Sequence, residues 1–341
     1  MDVMSLLPAR YSLDNLRFAL RHPQALSAEL HALGNRVNLA VHRRRYAGVG
    51  NDVLDEDWDN LFILDACRYD VFADQADLPG TLERRISKGS ESWRFLRENF
   101  AGRDCHDVVY VTANPHAYKL EAGTFHATWN LLDDRWDPEL QTVRPEVVAD
   151  AAREALEQFP DKRLIVHFMQ PHFPFLGETG QQLDHGGITY QFGEDVDADV
   201  EPADGHEQPA TPGQNGDEER IRSILIWGQL RWNLLDVETV WQAYCENLDI
   251  VLPVVEELLS DLDGRTVVTS DHGNLFGERL SPIPTRAYGH PPGLFAEELR
   301  RVPWHIVDGP RRSTTAEPPV ERETLDEEVA QERLRDLGYV G

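Results

Sequence analysis

Apolar residues fall along this chain in two kinds of run. Short unbroken ones, LFIL at 61–64, LIVHF at 164–168 and TVVTS at 266–270, have the length and continuity of strands buried on both faces. Others space their apolar residues three and four apart. RPEVVADAAREALEQF at 144–159 is one, with Pro145 near its start, where a helix tolerates proline. VETVWQAYCENLDIVLPVVEELLSDLDG at 237–264 is a longer one; Pro253 should kink or divide it, and Gly264 can end it. Strands alternating with helices predict an α/β fold with a mostly parallel central sheet flanked by helices.

The pattern also suggests divisions. Residues 1–50 form a basic arm with helical apolar spacing and an HRRR cluster. Two readings stand for it: packing on its own domain, or contact with an anionic membrane surface or a partner. Residues 51–310 read as the main α/β domain. It is interrupted at 178–219 by a Gly- and Pro-containing stretch with twelve acids and no lysine or arginine, read as a surface insertion or lid. Its EDVDAD segment has alternating acids but no EF-hand pattern, a weak basis for calcium. Residues 311–341 read as an acidic linker and a C-terminal helix.

The last strand run leads into Asp271, His272 and Gly273. A regular pleat sends adjacent side chains to opposite faces. Beyond the strand, a turn relaxed by Gly273 lets carboxylate and imidazole converge on one cation, and these donors suit Zn2+, Mn2+ or a similar divalent ion. The competing reading is a turn in which Asp271 caps the next helix. Asp65 ends the run at 61–64, and His167 and His172 lie at the end of the run at 164–168. Parallel sheets form their sites at such strand ends, so the coincidence favours a site.

Ser87, Ser90 and Ser92 precede the helical run WRFLRENF. A hydroxyl there meets free amides and the positive end of the helix dipole, and a neighbouring cation would make it a stronger nucleophile. Plain N-capping is the other use of serine at that place. His290, in AYGHPPG, is a candidate ligand or oxyanion contact, and Arg68 and Arg94 are candidates to bind an anionic ester. No P-loop and no GxGxxG follows any strand, which argues against a nucleotide-binding protein.

Net charge is −27, with only three lysines (Lys88, Lys119, Lys162). That is the balance of a protein kept soluble in concentrated salt, where self-repulsion is screened, so a halophilic, haloarchaeal source is expected. It argues against a nucleic-acid partner, which needs a basic face. Three separated cysteines without a CxxC pair predict neither zinc ribbon nor disulfide framework. No apolar run has the length of an export signal core or a membrane span. A cytoplasmic location, or a peripheral one at the inner membrane face, is therefore expected; oligomeric state is not legible.

In order along the chain, LDACRYD, a hydroxyl at a helix start, HFMQPH, SDHGN and YGH resemble the alkaline phosphatase superfamily. Within it, the sulfatase-like hydrolases and the phosphoglycerol and phosphoethanolamine transferases are most similar, and the ending VAQERLRDLGYVG resembles that of sulfatase-like chains. The resemblance spans residues 55–341, insertion excepted. It implies an α/β fold with one or two divalent ions (Zn2+, Mn2+, Mg2+ or Ca2+). It makes Asp65, Asp271 and His272 metal ligands, His172 a group near the substrate, and His290 a substrate contact or second-metal ligand.

The nucleophile is Ser92 when counted back from Gly102 and Ser90 when counted from Arg94; Ser92 is preferred because it directly precedes the helical run. Neither serine is followed by Pro-Ser-Arg and no cysteine stands there, so a phosphate ester fits better than a sulfate ester. The expected function is a metal-dependent hydrolase or transferase of phosphate, or sulfate, esters through a serine nucleophile. Ser92, Ser90, His172 and Arg68 are its catalytic candidates, and His167, Arg94 and His290 its substrate-binding ones. The alternative is a non-catalytic sulfatase-like protein that binds an anionic glycan or lipid headgroup.

Overall fold

The computed structural model describes residues 23–183, 188–191, 221–224, 226–231, 233–320 and 327–336. The strands are β1 (Asn60–Leu64), β2 (Thr81–Ile86), β3 (Cys105–Thr112), β4 (Phe125–Asn130), β5 (Arg163–Phe168), β6 (Ile188–Gln191), β7 (Ile221–Ile224), β8 (Thr266–Thr269), β9 (Leu275–Arg279), β10 (Arg286–Gly289) and β11 (Arg301–Val307). The helices are α1 (Pro23–Tyr46), α2 (Tyr69–Gln75), α3 (Ser92–Phe100), α4 (Pro145–Gln158), α5 (Glu178–Gln181), α6 (Ile226–Arg231), α7 (Val237–Asp261), α8 (Glu297–Arg300) and α9 (Glu327–Asp336).

Seven strands make one sheet in the order β2–β11–β8–β1–β5–β3–β4. All run parallel except β11, which is antiparallel to β2 and β8. The mostly parallel α/β fold expected from the apolar runs is the one observed. Alternation along β1 explains why LFIL is apolar throughout: Phe62 and Leu64 enter the core under α2, α4 and α7, while Leu61 and Ile63 enter the core under α3. A strand packed on both faces needs both sets.

Pro253 lies inside α7 without dividing it. It is on the helix's exposed face, where water can satisfy the carbonyl that its missing N–H leaves without a partner. The arm helix α1 docks on the main domain through Gly34, Asn38 and His42. Asn38 donates to Ile283 O (2.7 Å) and to Thr285 Oγ1 (2.9 Å), and His42 lies 2.7 Å from Ser281 O.

Residues 311–320, expected as a linker, are an extended strap. Arg312 donates to Asn60 Oδ1 and to the carbonyls of Asp59, Lys162 and Asp263. The buried Lys162 ammonium donates to Thr315 and Glu317. Of the insertion, α5 and β6 are described, and β6 pairs antiparallel with β7; the EDVDAD segment lies outside the described residues.

Candidate metal centre

The central strands β8, β1 and β5 all deliver their C-terminal ends to one place. Directly after β1 comes Asp65, and the chain then turns through Ala66 at φ 58°. A left-handed alanine costs roughly 1 kcal/mol, and fixed partners hold it there. Ala66 N donates to Asp271 Oδ1 at 3.0 Å, Cys67 N donates to Ser270 Oγ at 2.9 Å, and Tyr244 OH donates to Ala66 O at 2.8 Å. The turn after β1 is thereby tied to the turn after β8. Gly273 completes the second turn: a Cβ there would lie 2.0 Å from Glu298 O, so no side chain fits.

Ligand atoms of Asp65, Asp271 and His272 all lie within 4.8 Å of one another, and all three residues are fully buried. Asp65 Oδ1 and Asp271 Oδ2 have no hydrogen-bond partner. His272 Nδ1 is 2.7 Å from Gly273 O, which assigns the proton to Nδ1. The Nε2 lone pair then faces Asp65 Oδ1 at 3.6 Å and Asp271 Oδ2 at 3.4 Å. Burial, and then the Asp271 charge, raise the Asp65 carboxyl well above the usual range. Burial also acts to raise Asp271, but His272, His167 and the Ala66 amide outweigh it and hold that carboxyl low. Two buried carboxylates with unpartnered oxygens and a lone pair aimed between them could hold a cation. Two oxygens and an imidazole nitrogen fit a divalent ion such as Zn2+ or Mn2+.

Ser92 opens α3, capped by Glu91, whose side chain accepts from Arg94 N at 2.8 Å. Its Oγ lies 3.2 Å from His272 Nε2 and donates toward Asp65 Oδ2 at 3.4 Å. Ser90 points elsewhere, its Oγ accepting from Gly293 N at 3.2 Å. His167 lies in β5 beneath the carboxylates rather than at a substrate surface. Its Nε2 has no hydrogen-bond partner and stands 3.9 Å from both Asp65 Oδ2 and Asp271 Oδ2, with Nδ1 2.9 Å from Tyr110 OH.

Above the centre, His172 Nε2 meets His290 Nε2 at 3.0 Å, and the His290 ring stands 4.8 Å from the His272 ring. Burial pushes His172 down to about 3 and His167 down to about 4, so both are neutral at pH 7. The two arginines expected at substrate are engaged elsewhere. Arg68 bonds Asp70, Glu278 and Asn274 O and stacks on Trp241. Arg94 pairs with Glu98 and lies over Phe295.

Two neighbours escaped the sequence reading. Asn114 Nδ2 donates to Asp65 Oδ2 at 2.6 Å from just beyond β3. Lys119 Nζ lies 3.0 Å from His116 Nδ1 and 5.7 Å above the Trp93 ring, beside Ser92. Burial lowers its pKa, opposed by the Glu91 charge. Applying the strand-end argument to the apolar run VVYV at 108–111 would have pointed to Asn114; nothing in the local pattern marks Lys119.

No family model matches the chain, and no curated protein matches it. Solved structures resemble it distantly. One is the integral membrane protein lipooligosaccharide phosphoethanolamine transferase A of Neisseria meningitidis, at 11% identity and TM-score 0.41, over 73% of this chain and 47% of that one. Another is the C-terminal periplasmic domain of EcEptC of Escherichia coli in complex with Zn, at 12% identity and TM-score 0.40, over 76% and 75%. The chain therefore spans about half the length of the first. The expected cytoplasmic location is withdrawn: these structures are described as an integral membrane protein and a periplasmic domain. Among the described residues no helix is long and apolar enough to cross a membrane, which places the chain in no compartment.

Proposed function

We propose that this protein is a metal-dependent phosphoester transferase or hydrolase with Ser92 as nucleophile. The observation that carries the reading is the set of orphaned buried atoms, Asp65 Oδ1 and Asp271 Oδ2, facing His272 Nε2 with Ser92 Oγ beside them. Asp65, Asp271 and His272 would hold the ion, with the Ser92 oxygen next to it; when bound, it supplies Lewis acidity toward the serine and a phosphoryl oxygen.

The chain's own groups do the rest. The hydrogen bond from Ser92 Oγ to Asp65 Oδ2 gives the serine proton a path off the oxygen. Ser92 Oγ then attacks phosphorus, the new O–P bond forming as the bond to the leaving oxygen breaks. His172, with Nδ1 beside Phe173 O, presents an Nε2 lone pair to His290. That contact orients His290, which in its imidazolium form would release one proton to the leaving oxygen and return to the neutral ring. Asn114 keeps Asp65 in place, and the Lys119 ammonium, near Trp93 and Glu91, favours an anionic substrate. Water or an acceptor alcohol releases the phosphoryl group from Ser92. An anionic lipid or glycan headgroup is the substrate class that this polar, cation-dependent centre suits.

The test is turnover of p-nitrophenyl phosphate and bis-p-nitrophenyl phosphate in molar salt, with metal analysis of the same preparation. Activity that needs Zn2+ or Mn2+ and vanishes in Asp271→Asn is expected. Full activity in that variant, or indifference to chelator, would sink the reading. A bound metal with no turnover of any ester would make the protein a binder of anionic headgroups instead.

A further inference from the structure

The arm helix α1 meets the domain largely through polar contacts and leaves a row of apolar side chains exposed. Helices on globular proteins bury their apolar stripe and show their polar one. Here the inward face is Gly34, Asn38 and His42, held to the 281–295 segment by hydrogen bonds to Ile283, Thr285, Ser281 and Phe295, with Leu39 packed on the apolar cluster around Leu275 and Leu299. The contact is close: a Cβ on Gly34 would lie 2.6 Å from Thr285 Cγ2 and 2.8 Å from Ile283 Cγ2. The outward face carries an apolar row together with exposed arginines. Leu30 is 60% exposed, Leu33 51%, Val37 40% and Val41 38%, and Ile283 beside them is 38% exposed. These helix positions, spaced by three, four and four residues, lie on one face. Nothing among the described residues covers them.

Charge says what does. From 30 to 46 the helix carries Arg36, Arg43, Arg44 and Arg45 and no acid, in a chain whose net charge is −27. An apolar stripe bordered by arginines matches a bilayer interface, with side chains entering the acyl boundary and guanidinium groups among the headgroup phosphates. An anionic surface repels the acidic remainder of this molecule, which favours approach by this face. Screening over about 8 Å at physiological salt limits repulsion from distant acids without removing attraction at contact.

We propose that the exposed face of α1 docks the protein on an anionic lipid bilayer, the helix lying in the plane of the interface. The docked helix shares the 281–295 segment with His290 and with Gly293, the partner of Ser90. The bilayer is therefore brought beside the loop that completes the candidate site. The proposal stands apart from the function assigned to that site, because attachment needs no turnover.

The experiment is co-sedimentation of the full chain with vesicles of phosphatidylcholine alone and of phosphatidylcholine mixed with phosphatidylglycerol. Binding to the mixed vesicles, weakening as salt is raised, is expected. The double variant Leu33→Glu/Val37→Glu should lower partitioning by about tenfold or more. The triple variant Arg43→Gln/Arg44→Gln/Arg45→Gln should weaken binding and flatten its salt dependence. All five side chains are exposed, so thermal melting near the wild-type value confirms that each variant is folded. Equal binding with and without the anionic lipid, or binding unchanged in the double variant, overturns the proposal. So does a dimer seen by ultracentrifugation without lipid that the double variant dissolves, if no vesicle binding accompanies it.

Discussion

Ser92 Oγ lies 3.2 Å from His272 Nε2 across 180 residues of sequence. Two turns bring them together: the start of α3 and the loop after β8, both beyond the C-terminal ends of parallel strands. Ser90, two residues earlier, has its hydroxyl on Gly293 N instead. Ser92→Ala should lower kcat by about a thousandfold or more, as loss of a nucleophile does. Ser90→Ala should lose one buried hydrogen bond, about 1 kcal/mol, with kcat nearly unchanged. Comparing kcat and melting temperature for the two variants checks the assignment, and equal kcat losses would refute it.

On the proposed metal site, the carboxylate pair should couple metal binding to stability. Without a cation, Asp65 and Asp271 face each other fully buried with an oxygen each unpartnered. Chelator should lower the melting temperature, and Zn2+ should restore it. At free metal of about a hundred times Kd the gain is about 2.7 kcal/mol. Asp65→Asn should lose the metal response and yet, metal-free, melt no lower than metal-free wild type, because the like-charge contact is gone. Calorimetry with and without chelator reads both.

Acid sensitivity follows from His172. Burial lowers its folded pKa to about 3, against an unfolded value of about 6.5. A lowered imidazole pKa means the unfolded chain takes up the proton first. The stability is present above about pH 6.5 and is lost as pH falls toward 3, by up to about 1.4 kcal/mol per pH unit. His167, lowered to about 4, adds in the upper part of that window. Chelated protein carrying His172→Gln should show a shallower fall in stability between pH 6.5 and 4. Denaturant titrations across that range decide it, and an unchanged slope would count against the buried neutral imidazole.

Gly273 leaves no room for a methyl group. Its ideal Cβ position lies 2.0 Å from Glu298 O, a backbone atom that a flexible side chain cannot replace. Gly273→Ala should cost about 2–4 kcal/mol and displace His272. Metal affinity should fall with it, which equilibrium dialysis against Zn2+ measures.

The three central strands were legible because each is buried on both faces and so reads as an unbroken apolar run. Their C-terminal residues could be named for the same reason. Strand β11 was hidden: it carries Pro303, Trp304 and His305 and runs antiparallel, so it lacks the look of a parallel strand. Asn114 was missed because β3 was not identified as a strand. The engagement of Arg68 was not legible because its acceptor Glu278 lies 210 residues away, and no local pattern announces a guanidinium already engaged. Ser90 and Ser92 share the same local signal, and only the three-dimensional partners separate them.

The strap tests how far stability and site can be uncoupled. Arg312 joins Asn60 Oδ1 and the carbonyls of Asp59, Lys162 and Asp263. These groups cluster at the N-terminal ends of β1, β5 and β8, the opposite end of the sheet from Asp65 and Asp271. Removing the guanidinium leaves several acceptors short of a donor at once. Arg312→Ala should therefore cost about 2–4 kcal/mol. The carboxylate pair keeps its turn-to-turn bond from Ala66 N to Asp271 Oδ1, which the strap does not touch. Metal affinity and kcat below the melting transition should stay at wild-type values while the denaturant midpoint falls. A fall in kcat alongside the midpoint would mean that the two ends of the sheet are coupled.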